Sequence, residues 1–195
     1  MTPKEKQIET FYPASVQEWR LWLQQHHDKK PSIWIVCYKK ETGIPTITWS
    51  EAVDEALCFG WIDSTRRSVD SGSFIQFFTR RKPTSTWSRI NKEKVDRLTA
   101  EGRMTPAGQE VIEKAKKNGS WELLDQVEDL AIPKEMEKEF KLHPGSKDFF
   151  LGLSRSVRKQ MLHWVTMAKL PETKHKRIKE IVTHAAQQQR APRFR

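Results

Sequence analysis

The sequence predicts an α+β fold: a small antiparallel sheet with flanking helices over residues 1–125, then an all-helical region over 126–187 and a basic disordered tail over 188–195. Three observations carry this. Two runs of β-forming residues, Trp61 to Val69 and Ser73 to Thr79, flank Asp70-Ser71-Gly72, which is hairpin turn chemistry. A third such run, SIWIVCY, occupies 32–38. Beyond 122–133, where the composition turns acidic and ends in Pro133, every periodic segment has helical spacing.

Taken in order, Ser15-Val-Gln-Glu18 reads as a capping box, and Trp19, Trp22, Leu23 and His26 then recur at helical spacing, predicting a helix over 16–27. The 32–38 run is apolar almost throughout, which predicts a strand covered on both faces. A polar turn at 39–43 and a short extended piece at 44–49, interrupted by Pro45, lead to a helix capped by Ser50 and closed by Gly60. On the second hairpin strand Phe74, Gln76 and Phe78 share one face. A helix over 86–101 ends at Gly102, and Thr105-Pro106 opens another that stops at Asn118-Gly119. Helices follow over 133–141, 145–152, 155–168 and 171–187.

The chain is long enough to bury a real core, and 36% of its residues are apolar. Trp22, Trp34, Trp61 and Trp87 fall on apolar faces and are expected to build that core; Trp49 is expected to be buried as well. Mean hydropathy is −0.74, and no apolar run approaches the length of a membrane span. The opening MTPKEKQIET lacks the apolar stretch of an export signal, so the expected location is the cytoplasm. Cys37 and Cys58 both sit in apolar runs and read as buried thiols.

The net charge of +10 is unevenly placed. Residues 145–195 hold 12 Lys and Arg against 3 Asp and Glu; residues 1–144 hold 23 against 22. A basic C-terminal third suits an acidic partner, whether nucleic acid, anionic lipid or an acidic protein, and equally suits a solvated helical face.

No cofactor is expected, because glycine-rich phosphate loops, nucleophile elbows and metal-ligand spacings are all missing from the sequence. Ser64 after Asp63 reads as a hydrogen-bonding sheet residue rather than a nucleophile. What remains is a polar set running from the hairpin to the start of the following helix. Asp63, Arg66, Arg67, Gln76, Arg81 and Trp87 are the candidate ligand-binding residues, and Asp63 is the one acid that could serve as a base. A carboxylate among guanidinium groups is either an ion-pair brace or an anion-binding surface. Strand alternation puts Asp63 and Arg66 on opposite faces unless the strand bulges between them; otherwise Asp63 pairs with Arg67.

The stretches YKKETGIPTITWSEAVDEALCFGWIDSTRR at 38–67, FFTRRKPTSTWSRINKEKVDRL at 77–98, EGRMTPAGQEVIEKAKKNGSW at 101–121 and FFLGLSRSVRKQMLHWVTMAKLPETKHKRI at 149–178 resemble the YdeI/OmpD-associated, bacteriocin-protection family. That family has proline after the threonine of its FTPR-like segment, where this chain has Arg80. The resemblance spans most of the chain. It implies an α+β N-terminal part and a helical C-terminal part linked to bacteriocin or cationic-peptide resistance, and it brings no catalytic residue. Three functions follow as expectations: a non-enzymatic protein binding a small anionic ligand or acidic protein partner, an enzyme acting on a small anionic substrate, or a non-specific nucleic-acid binder working through the basic C-terminal third.

Overall fold

The computed structural model describes residues 9–194; the polar opening 1–8 and the last residue, 195, lie outside the described residues. The chain divides into two compact units, one holding residues up to Ser85 and Ile90–Ser120, the other holding Thr86–Arg89 and Trp121 onward.

The first unit is a four-stranded sheet with helices on one face. Its strands are β1 (Thr10–Phe11), β2 (Ser32–Tyr38), β3 (Trp61–Ser68) and β4 (Ser73–Arg80), in the order β1-β2-β4-β3. β1, too short to leave a sequence signal, runs parallel to β2; the other pairs are antiparallel. The hairpin turn forms as its residues dictate, with the Asp70 carboxylate accepting from the Gly72 and Ser73 backbone N–H groups.

Helix α1 (Val16–His26) is capped by Ser15, whose hydroxyl accepts from the Glu18 N–H, while the Glu18 carboxylate reaches back to the Ala14 N–H. Helix α2 (Trp49–Cys58) starts two residues earlier than expected. Thr48, not Ser50, is its cap, because Thr48 and Glu51 satisfy each other's backbone N–H groups as a full capping box. Gly60 takes the left-handed conformation (φ 73°) that ends the helix.

The core lies between these helices and one sheet face. Trp19 and Leu23 of α1, with Ala52, Val53, Ala56 and Leu57 of α2, bury against Ile33, Ile35, Cys37, Trp61 and Phe78. The two indoles fully buried in this core have carbonyl partners: Trp19 Nε1 donates to Ala52 O at 3.0 Å and Trp61 Nε1 to His27 O at 3.1 Å. β2 alternates between buried and half-buried residues, so only one of its faces is fully covered, against the expectation of two. Trp34, on the less covered face of β2, is accordingly half-buried rather than central, and Trp22 on α1 is half-buried too.

Helices α3 (Arg89–Ala100) and α4 (Pro106–Lys117) complete this unit, apart from Arg89. α2 is tied to its neighbours by acids on its polar side. Asp54 meets Lys94 and Arg97 of α3; Glu55 meets Arg20 of α1 and Arg103, each at 2.6 Å. α4 approaches α2 closely enough that Gly108 lies against the Cys58 carbonyl.

The second unit is all-helical: α5 (Asp125–Glu128), α6 (Lys134–Leu142), α7 (Ser146–Gly152), α8 (Arg155–Thr166) and α9 (Pro171–Ala186). Its core gathers Met136, Phe140, Phe150, Met161, Leu162, Val165, Ile178, Ile181 and Val182. Residues 188–194, expected as a disordered tail, fold back on this core instead. Gln188 turns the chain in a left-handed conformation (φ 55°), Ala191 is 1% exposed, and Pro192–Phe194 form a 3-10 turn. The burial of Ala191 and the packing of Phe194 on Trp164 supply contacts that a charge count cannot reveal.

Candidate functional site

The hairpin positions most of the sequence-predicted residues. β3 and β4 slip register between Asp63, opposite Phe78, and Arg66, opposite Gln76. Three residues of β3 therefore span two of β4, a bulge that brings Asp63 and Arg66 onto the same face. Gln76 is buried on that face and donates to the Ser64 carbonyl inside the bulge at 3.3 Å. Asp63 accepts from Trp49 Nε1 at 2.8 Å, and Trp49, expected in the core, is 46% exposed. The Arg66 guanidinium lies 3.5 Å from the centroid of Phe74; Arg67, on the other face, lies 4.8 Å from that of Trp34.

Arg81 leaves β4 with its N–H donating to Gly60 O at 2.9 Å, and it is 7% exposed. Burial lowers its pKa to about 10, against the opposing pull of the Asp63 carboxylate. Trp87 falls in the helical unit, where its ring packs against Trp121 at 4.8 Å. The hairpin arginines thus spend their flat faces on aromatic rings or sit inside the fold. Burial raises the thiols of Cys37 and Cys58 to about 11, which leaves both protonated and unreactive. Among the described residues no three His, Cys, Asp or Glu side chains gather as a metal site.

The helical unit holds a second polar centre, which the sequence reading missed. A cleft of about 1110 Å³ opens between α8, α9 and the terminal turn. α8 contributes Arg155, Lys159 and His163 at four-residue spacing, with Trp164 beside them. α9 contributes Arg177, whose Nη1 donates to Trp164 O at 2.5 Å near the C-terminal end of α8, where cations are favoured. The terminal turn contributes Arg193 and Phe194. The guanidinium groups of Arg177 and Arg193 stand 5.1 and 5.7 Å from the Trp164 ring centroid, and Phe194 meets that ring edge-on at 5.6 Å.

At the other end of the cleft, Glu128 orders two cations. Its carboxylate accepts from Lys159 at 2.5 Å and its carbonyl from Arg155 at 2.9 Å. Burial works against the charged form of Glu128, but Lys159 and the Arg89 N–H outweigh it and keep the pKa below the usual carboxylate range. Desolvation in the cleft and the neighbouring Lys159 hold the His163 pKa below that of a free imidazole. One ordered carboxylate among four permanent cations leaves the cleft with a surplus of positive charge. The sequence carried two hints of it: the basic balance after residue 145, and a tryptophan within a run of Arg, Lys and His at helical spacing.

Among the described residues no helix is long and apolar enough to cross a membrane. Neither the curated proteins nor the solved structures contain a match to the chain. Residues 11–111 match the model of DUF8412, a domain of unknown function, so the hairpin motifs that suggested the YdeI/OmpD-associated family fall within a differently defined domain. Residues 129–188, which include α8 and α9, match the model of that family itself. The chain therefore belongs to the DUF8412 family through its sheet-bearing half, and its helical part is a domain of the family described as Bacteriocin-protection, YdeI or OmpD-Associated.

Proposed function

We propose that the protein is a non-enzymatic anion-binding protein and that the cleft of α8, α9 and the terminal turn is its binding site. The observation that supports this is the grouping of Arg155, Lys159, Arg177 and Arg193 around one cleft that also exposes an aromatic ring. A guanidinium fork matches phosphate and carboxylate, and a partly desolvated cleft strengthens the attraction. Asp63, Arg66, Arg67, Gln76 and Arg81 at the hairpin, and Trp87 in the helical unit, take a supporting part in this reading. The Asp63–Arg81 attraction braces the sheet, and no catalytic role is assigned to Asp63.

We place the activity in the cytoplasm and in the service of bacteriocin or cationic-peptide resistance, of which the description of the matched family names bacteriocin protection. A cleft of this charge repels a cationic peptide, so protection would run through an anionic ligand or acidic partner rather than through capture of the peptide.

Thermal unfolding in the presence of tripolyphosphate tests the proposal, since a ligand bound only by the native state raises stability by about 2.7 kcal/mol at a hundredfold excess over Kd. The parent should melt at a higher temperature as tripolyphosphate is added. Arg177→Ala/Arg193→Ala, which gives up the bond to the Trp164 carbonyl and both contacts with its ring, should melt below the parent without ligand and lose the rise. A full rise in the double variant, or none in the parent, overturns the assignment.

A further inference from the structure

We infer that the anion held by the cleft is a single strand of nucleic acid, gripped through its phosphodiester backbone without reading its sequence. The inference rests on the anion-binding proposal above and names the ligand class.

The cations are spread along the cleft rather than gathered at a point. Arg155 and Lys159 lie at one end, ordered by Glu128; Arg177 and Arg193 lie at the other, around Trp164. Arg155 and Trp164 are separated by about 14 Å along the α8 axis at 1.5 Å per residue. A compact anion meets one end or the other, whereas a chain of phosphates meets both.

Trp164 and Phe194, each half-buried, add aromatic surface beside the cationic row. A backbone-tracking positive groove with aromatic rings at its side is how proteins hold unpaired strands, because bases stack on rings regardless of their identity. A duplex keeps its bases stacked on one another and has no use for those rings. The surplus of 12 basic over 3 acidic residues from 145 to 195 favours the same encounter at long range.

Fluorescence anisotropy with the full chain and a labelled oligo(dT) of about 12 nucleotides tests this, a length within the usual site size for single strands. Tripolyphosphate, a duplex of equal length and phosphatidylserine vesicles serve as competitors. With four cations on phosphates the log–log salt slope should be about −3, or roughly fiftyfold weaker binding for a fourfold rise in salt. Arg177→Ala/Arg193→Ala should halve the slope. Arg193→Ala alone, on the terminal turn, should reduce it by roughly a quarter with the helices untouched. Lys114→Ala/Lys117→Ala on α4 should change nothing.

Tripolyphosphate competing as tightly as the oligonucleotide would overturn the strand assignment and leave the anion site standing. Tighter capture by duplex or vesicles would overturn it in favour of those partners. An unchanged slope in the cleft variants would overturn it as well. If no anion binds at all, the underlying proposal fails with it.

Discussion

His163 shares one face of α8 with Arg155 and Lys159, and its protonation is opposed by desolvation and by the Lys159 ammonium. Two consequences follow at the residue scale. The folded pKa lies below the unfolded value of about 6.5, so between the two the unfolded chain binds a proton that the folded chain does not. Stability from this group is therefore fully present above pH ~6.5 and falls as the pH drops through that window. An anion in the cleft acts in the other direction, favouring the imidazolium, so anion affinity should rise as the pH falls from about 7.5 to 5.5. Calorimetric titration with sulfate, whose charge is constant over this range, should show that rise in the parent and a flat profile in His163→Gln. Equal pH dependence in both proteins would show that His163 does not face the bound anion.

At the element scale, helices and strands were readable wherever one face carried the apolar residues. Ser15 and Thr105 were identified as caps because a hydroxyl next to the right successors satisfies helix N–H groups locally. Ser50 reads as a cap because a serine hydroxyl suits the role, whereas the reciprocal Thr48–Glu51 bonds put the cap two residues earlier. The β3 bulge has no signature in Asp63-Ser64-Thr65-Arg66, since it arises from pairing with β4, and with it the shared face of Asp63 and Arg66 stayed open.

The fit of α4 against α2 is similarly non-local. A Cβ at Gly108 would stand 2.3 Å from the Cys58 carbonyl oxygen, which is backbone and cannot swing aside. Gly108→Ala should therefore cost about 1–3 kcal/mol by overpacking, even though alanine is the better helix former. Denaturant unfolding reads this directly. A variant as stable as the parent would mean that α4 can shift off α2 without cost.

At the scale of the whole molecule, composition pointed to the helical half through its charge, but it could not locate a site within that half. Arg177 and Arg193 are remote from Arg155 and Lys159 in sequence, and the terminal residues looked unstructured because their anchors are a single alanine and one ring. The hairpin drew attention for the opposite reason: its arginines are dense in sequence, while in the fold two of them cover rings and Arg81 is buried. Two indoles separate the two candidate sites. Trp164 stands between the cleft's guanidinium groups, and Trp49 donates to Asp63 on the hairpin. The most direct measurement follows the eight indole N–H resonances by NMR during titration with tripolyphosphate, assigned through single Trp→Phe variants. If the cleft is the anion site, the Trp164 signal moves with saturation while Trp49 stays in place. Movement of Trp49 with Trp164 unmoved would return the site to the hairpin and contradict the account.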